Sequence, residues 1–214
     1  FNKCMSFEFT IRLVLEEVDL LRGGERHNLL SAEKREHYRS KAVEDDATIV
    51  TPPCDTHSRA KCSGGPGPQP TRDLAWPRGK PGLSASDQKK VDDANVLADF
   101  SAEVLEAVAS AGKLALFEFP EDLGRTPRGT PSSLWQWQYF RKLADHGLRR
   151  GALYQDDWAE MGYLKPTGLL TNIKKIINDP KFFLGWPEFD EQGFLQRTIA
   201  TATGYPRRPN RQRP

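Results

Sequence analysis

The chain has 214 residues, 37% hydrophobic and 28% charged, with a formal net charge of +2. That suits one globular domain with irregular segments and excludes a global basic field for nucleic acid. Three cysteines, Cys4, Cys54 and Cys62, are too few and too uneven for a disulfide framework, so a reducing, intracellular compartment is expected, the nucleus among the candidates. No apolar run reaches the roughly 18 residues that a membrane helix needs, and no signal peptide is recognisable.

In chain order, TIRLVLEEVDLL (10–21) reads as a strand running into an acidic turn. Gly23-Gly24 break it. Ser31 is a helix N-cap before a charged run to Val43; Lys34 three residues on means that it is no capping box. ATIV (47–50) is a short apolar strand. Residues 59–83 are dense in Gly and Pro and read as one long loop, a length that is usually functional or disordered. Ser84 or Ser86 caps the longest helix. Its apolar stripe is Val91, Ala94, Ala98, Leu105, Val108 and Ala109, and Gly112 ends it. LALFEF (114–119) is a buried strand stopped by Pro120. Ser132 or Ser133 opens a helix, LWQWQYFRKLADH, closed by Gly147, with Trp135 and Trp137 on different faces. ALYQ (152–155) and GLLTN (168–172) are weaker strands. Arg149-Arg150 and Lys174-Lys175 read as solvated charge. The tail from 196 to 214 is basic and reads as disordered, although it also suits phosphate contacts.

Strand, long helix, strand is a crossover unit, which makes strands 47–50 and 114–119 parallel. The fold class is therefore α/β. Open parallel sheets bind ligands beyond the carboxyl ends of their strands. Pro52-Pro53-Cys54 follows the first strand, and Glu118 ends the second. Neighbouring strand ends lie about 5 Å apart, so a thiol and a carboxylate are expected to face one pocket. The prolines stiffen the corner that presents the thiol. Cys54, His57 and Cys62 lack a fourth ligand at useful spacing, so no zinc site is expected.

PPCDTHS resembles the Pro-Pro-Cys motif of DNA cytosine-5 methyltransferases. Pro53, Cys54 and Ser58 match, while Asp55 replaces a Gln and His57 an aromatic. FEFPED resembles that family's Glu-Asn-Val motif, with Glu118 matching and Phe119-Pro120 in place of Asn-Val. Residues 52–60, 118–124, 132–137 and 165–172 together resemble a divergent, mobile-element-borne branch of methyltransferase-like domains. The likeness spans roughly residues 15–195, and residues 1–195 are taken as one domain.

The resemblance implies a Rossmann-like sheet flanked by helices that binds S-adenosyl-L-methionine, with DNA as the substrate. Cys54 would add to carbon 6 of cytosine, Glu118 would act as the acid at ring nitrogen 3, and carbon 5 would take the methyl group. His57 and Arg59 would help to lower the pKa of the thiol. Residues 59–83 would close over a flipped base. Asp19, with Glu17 as substitute, would bond the ribose of the cofactor and Asn28 its adenine, beside Pro52 and Pro53. Ser58, Arg59, Lys165 and Thr167 would line the nucleotide side. The glycine-rich turn of such sheets is not recognisable before Glu17, so the sheet is expected to be truncated at its start. Two alternatives stand beside this reading. One is an inactive scaffold derived from a mobile element. The other is an amino-group methyltransferase of adenine or cytosine, which would end the Pro-Pro corner in an aromatic rather than Cys54.

Overall fold

The computed structural model describes residues 14–62, 67–154, 166–178 and 189–194. Cys4, Lys165 and the basic tail lie outside the described residues.

The expected strand over 10–21 is not what its described part forms. Residues 14–19 carry no strand, and Leu20–Gly23 is a short helix, α1. Asp19 is the reason. Its carboxylate accepts the amides of Leu21 at 2.7 Å and Arg22 at 3.1 Å, which satisfies the first-turn donors of a helix. Helix α2, Ala32–Glu44, begins at Ser31, whose hydroxyl accepts the Lys34 amide. It is mostly polar, with Ala42 buried and Tyr38 and Val43 half-buried, and it packs on the longest helix.

Strand β1 is Ala47–Val50, α3 is Ala85–Ser110 and β2 is Leu114–Pro120. Ser84 caps α3 by accepting the Asp87 amide, and Gly112 turns the chain with a φ of +72°. The apolar stripe of α3 lies on β1 and β2, with Val91, Ala98, Ala102, Leu105 and Val108 essentially out of water. β1 and β2 pair in parallel, Ala47 opposite Leu114 and Val50 opposite Phe117, as a crossover requires.

The expected single helix from 132 to 147 is instead three short pieces. A tight turn over Leu134–Gln136 starts with a capping box between Ser133 and Gln136. Trp137 is then extended, with φ −72° and ψ 132°, and α4 covers Gln138–Lys142. A last turn, Leu143–His146, ends at Gly147 in the left-handed region. The break lets both tryptophans, expected on different faces of one helix, turn inward: Trp135 is 6% and Trp137 9% exposed.

Strand β3 is Arg149–Tyr154, β4 is Pro166–Thr171, and a short α5, Lys174–Ile177, follows. The sheet order is β1-β2-β4-β3. β4 lies antiparallel to both β2 and β3, with Phe117 opposite Leu170 and Phe119 opposite Gly168. The fold is thus mixed α/β: an open four-stranded mixed sheet flanked by helices. No helix among the described residues is long and apolar enough to cross a membrane.

The core sits between α3, the sheet and the tryptophan turn. Phe117 meets Phe140 at 4.9 Å, Trp135 edge-on at 5.5 Å and Phe119 at 6.1 Å between ring centres. Burying one such ring is worth about 2–3 kcal/mol.

The 59–83 segment was expected to be a mobile lid. Its described part is instead tied down. Arg72 is 1% exposed; its guanidinium donates to Pro77 O and Asn95 Oδ1 at 2.9 Å each and to Val91 O at 3.2 Å. Lys80 pairs with Asp73 at 3.1 Å, and the Leu74 amide donates to Thr130 O. Removing Arg72 takes a charged donor from Pro77 O, Asn95 Oδ1 and Val91 O, each such hydrogen bond being worth about 1.5–3 kcal/mol, although Pro77 O keeps Ser132 Oγ at 3.4 Å. Arg72→Ala is therefore expected to lower unfolding free energy in urea by about 3 kcal/mol or more. A loss under about 1 kcal/mol would mean that the segment is not anchored there.

Candidate functional site

Beyond the carboxyl ends of β1 and β2 lies a cleft of 440 Å³. Its corner is Pro53-Cys54. Cys54 has φ −109° and ψ 1°, the sparsely populated bridge region in which active-site residues often sit. Its carbonyl accepts the His57 amide at 3.0 Å, closing a tight turn over Asp55–His57. Pro53, Cys54, Ser58 and Arg59 line one side of the cleft; Phe119, Glu121 and Asp122 line another.

The expected pairing of Cys54 with Glu118 is not what forms this cleft. Along β2, Ala115, Phe117 and Phe119 are buried while Leu116 and Glu118 alternate with them. Alternate residues of a strand point to opposite faces. Phe119 faces the cleft and the core, so Glu118 faces the other side, opposite Leu169 of β4. The glutamate among the described lining residues is Glu121.

Sequence reasoning missed Glu121. Its side chain is 2% exposed. Oε1 accepts the Asp122 amide at 2.9 Å and pairs with the Arg150 guanidinium. Oε2 is buried and has no hydrogen-bond partner among the described residues. Burial pushes its pKa above the ordinary carboxylate value, and Arg150 opposes that rise. Arg150 is not the solvated charge that was expected. It is on β3 with its guanidinium 4.3 Å from the Trp135 ring centre. The same Trp135 donates from its indole to Pro120 O at 2.8 Å. Gly168 makes room for both neighbours: a Cβ there would lie 2.5 Å from Trp135 Cζ2 and 2.8 Å from Glu121 Oε2. The signal available in the sequence was the strand period, which turns Glu118 away from Phe119 and leaves the next acids to the strand end.

His57 and Arg59 do not serve the thiol in the way expected. His57 is buried, edge-on to Phe119 at 5.3 Å, and its Nδ1–H donates to Ser132 O at 3.3 Å. Burial, reinforced by the charge of Arg72, drives its pKa down to about 3, so it is neutral at physiological pH and offers no positive charge. Arg59 donates to Gly124 O and, at 3.0 Å, to Arg125 O. It clasps the corner after β1 to the loop after β2, and burial lowers its pKa. Ser58 caps the turn and lines the cleft. Thr167 is buried on β4 opposite Pro120; its neighbour Pro166 reaches the cleft.

The residues assigned to the cofactor lie elsewhere. Asp19 caps α1, Glu17 pairs with Arg22 at 2.6 Å, and Asn28 bonds Glu25 at 2.9 Å and the Leu30 amide at 3.1 Å. None of the three is among the lining residues of the cleft. Of the expected cofactor set, Pro53 alone lines it, and Pro52 precedes it. Cys62 is buried and its thiol pKa is raised by that burial. Among the described residues no group of His, Cys, Asp and Glu is gathered to hold a metal ion. Comparison with family models, with curated proteins and with solved structures finds no match for the chain.

His57 generates a pH prediction. Its folded pKa of about 3 lies below the unfolded value of 6.5, so between these pH values the unfolded chain binds more protons. Stability from this group is complete above the unfolded value and falls as the pH drops toward the folded one, by about 1.4 kcal/mol per pH unit. Urea unfolding at a series of pH values measures the slope. His57→Gln is expected to remove this share of it; an unchanged slope contradicts the burial argument.

Proposed function

We propose that the cleft takes a pyrimidine base of DNA and that Cys54 is its nucleophile, in the manner of cytosine-5 methyltransferases. The observation that carries this reading is Cys54 on a proline-stiffened corner, lining a cleft at the carboxyl ends of two parallel strands. A stacked base does not reach such a pocket, so the substrate is an unpaired or flipped-out base. The cleft volume of 440 Å³ accommodates one base with part of its sugar.

The thiol yields its proton to solvent and sulfur bonds to carbon 6. The ring electrons move toward nitrogen 3, which takes a proton, and carbon 5 becomes nucleophilic. S-adenosyl-L-methionine is the methyl donor that the resemblance implies. The described residues assigned to it do not fit that role, because the side chains of Glu17, Asp19 and Asn28 serve local caps and pairs away from the cleft. This same observation favours a second reading, a base-handling scaffold that transfers no methyl group. Calorimetric titration with S-adenosylhomocysteine separates the two: saturable binding supports transfer, and its absence from a folded sample supports the scaffold.

Thiol addition has a signature that needs no methyl donor. Once carbon 5 is nucleophilic it takes a solvent proton and returns its own, so the hydrogen at that position exchanges. The protein is expected to release tritium from an oligonucleotide labelled at cytosine carbon 5. Cys54→Ser is expected to cut the rate by about 100-fold or more. Exchange that survives the substitution would refute the role of Cys54.

A further inference from the structure

We propose that the turn carrying Leu74 and Trp76 is a stacking platform for an unpaired base next to the one in the Cys54 cleft, so that the ligand is a single strand of DNA. This rests on the pyrimidine reading of the cleft and extends it to the neighbouring nucleotide.

The turn holds apolar side chains out in water on a rigid base. Trp76 is 52% and Leu74 53% exposed, and Ala75 between them is exposed as well. Trp76 is the only exposed tryptophan among the described residues. Its backbone is nevertheless fixed. The Trp76 amide donates to Asp73 O at 3.2 Å and to Asp73 Oδ1 at 2.9 Å, and its carbonyl accepts the Gly79 amide at 3.2 Å. Asp73 is paired with Lys80, and the buried Arg72 beside it is bonded to Val91 O and Asn95 on α3. A ring presented on a fixed backbone loses little conformational freedom when a flat partner settles on it.

The turn stands against a wall of the cleft. The Leu74 amide donates to Thr130 O at 2.9 Å, and the Ser132 hydroxyl donates to Pro77 O at 3.4 Å. Pro131 and Ser132 line the cleft. The charge around the turn names the partner. Residues 71–80 and 124–133 hold the cations Arg72, Arg78, Lys80, Arg125 and Arg128 against a single acid, Asp73, which Lys80 already pairs. Arg78, Arg125 and Arg128 are exposed. An exposed ring among exposed arginines matches flat bases joined by phosphates. In a duplex each base is already stacked on its neighbours, so the platform is open to an unpaired strand.

The test uses the full chain carrying Cys54→Ser, in which no covalent step intervenes. Fluorescence anisotropy reads its affinity for a labelled oligonucleotide with one cytosine. The cytosine is flanked by thymines, or by abasic residues, or the thymine-flanked strand is fully paired with its complement. Trp76→Ala is expected to weaken binding of the thymine-flanked single strand by about 10-fold, and Trp76→Phe, which keeps a ring, by about threefold or less. On the abasic-flanked strand and on the duplex Trp76→Ala is expected to change nothing, because no neighbouring base is offered. Equal losses on all three ligands, no loss on the thymine-flanked strand, or no binding of any ligand overturns the proposal. Should Trp76→Ala fail to fold, the difference in emission between the parent chain and Trp76→Phe decides: quenching by the thymine-flanked strand supports the platform, and its absence overturns it. Tritium release by the chain with Cys54 intact judges the cleft separately. Release without a Trp76 effect on binding keeps the cleft chemistry and removes the platform. A Trp76 effect without release keeps the platform as a single-strand binding surface and removes the thiol chemistry.

Discussion

β2 is hydrogen-bonded along both edges, parallel to β1 and antiparallel to β4, and its two-residue period decides what every neighbour meets. Phe117 and Phe119 point into the core, where Trp135 and Phe140 close around them. At the end of the strand the Pro120 carbonyl accepts the Trp135 indole, and Gly168 opposite Phe119 lets the ring approach the strand closely. Glu121 follows one residue later, against Arg150 on the same ring. The wall of the cleft is therefore an extension of the aromatic core. A side chain at 168 would collide with the ring and the carboxylate together, so packing and site chemistry share one constraint.

The opposite wall is built on β1. Two prolines fix the corner, and Arg59 reaches across to the carbonyls of Gly124 and Arg125. The loops after the two parallel strands are thereby latched to each other. Arg72 and the Asp73–Lys80 pair hold the described part of the long Pro/Gly-rich segment against α3. Arg78 adds an ion pair with Asp99 and lies 4.6 Å over the Trp137 ring centre. Rigidity of this kind suits a preformed pocket, in which groups are held for reaction before the ligand arrives.

Local signals in the sequence located β1, α3, β2 and their parallel pairing, because apolar period, the Ser84 cap and Gly112 agree there. Where two local signals compete, the reading went astray. The apolar residues before Asp19 suggest a strand, yet the carboxylate of Asp19 caps a helix. The 132–147 stretch has helical period, yet burying both tryptophans breaks it at Trp137. The reversed β4 was not legible, since strand direction depends on pairing across the sheet rather than on composition. Cys54 was legible through its prolines. Glu121 was not, because its importance comes from burial beside Gly168 and Arg150, residues far away in the chain. Arg72 was hidden for the same reason: nothing local marks an arginine whose partners lie on a helix up to 23 residues away.

The most direct measurement is peptide mapping by mass spectrometry after incubation with an oligonucleotide that carries pyrimidin-2-one in place of one cytosine. That base lacks the exocyclic amine and accepts a thiol at carbon 6 without a methyl donor. The account predicts a nucleotide adduct on the peptide containing Cys54 and none on those containing Cys62 or Cys4. Absence of any adduct from a folded sample, or an adduct on another cysteine, would contradict it.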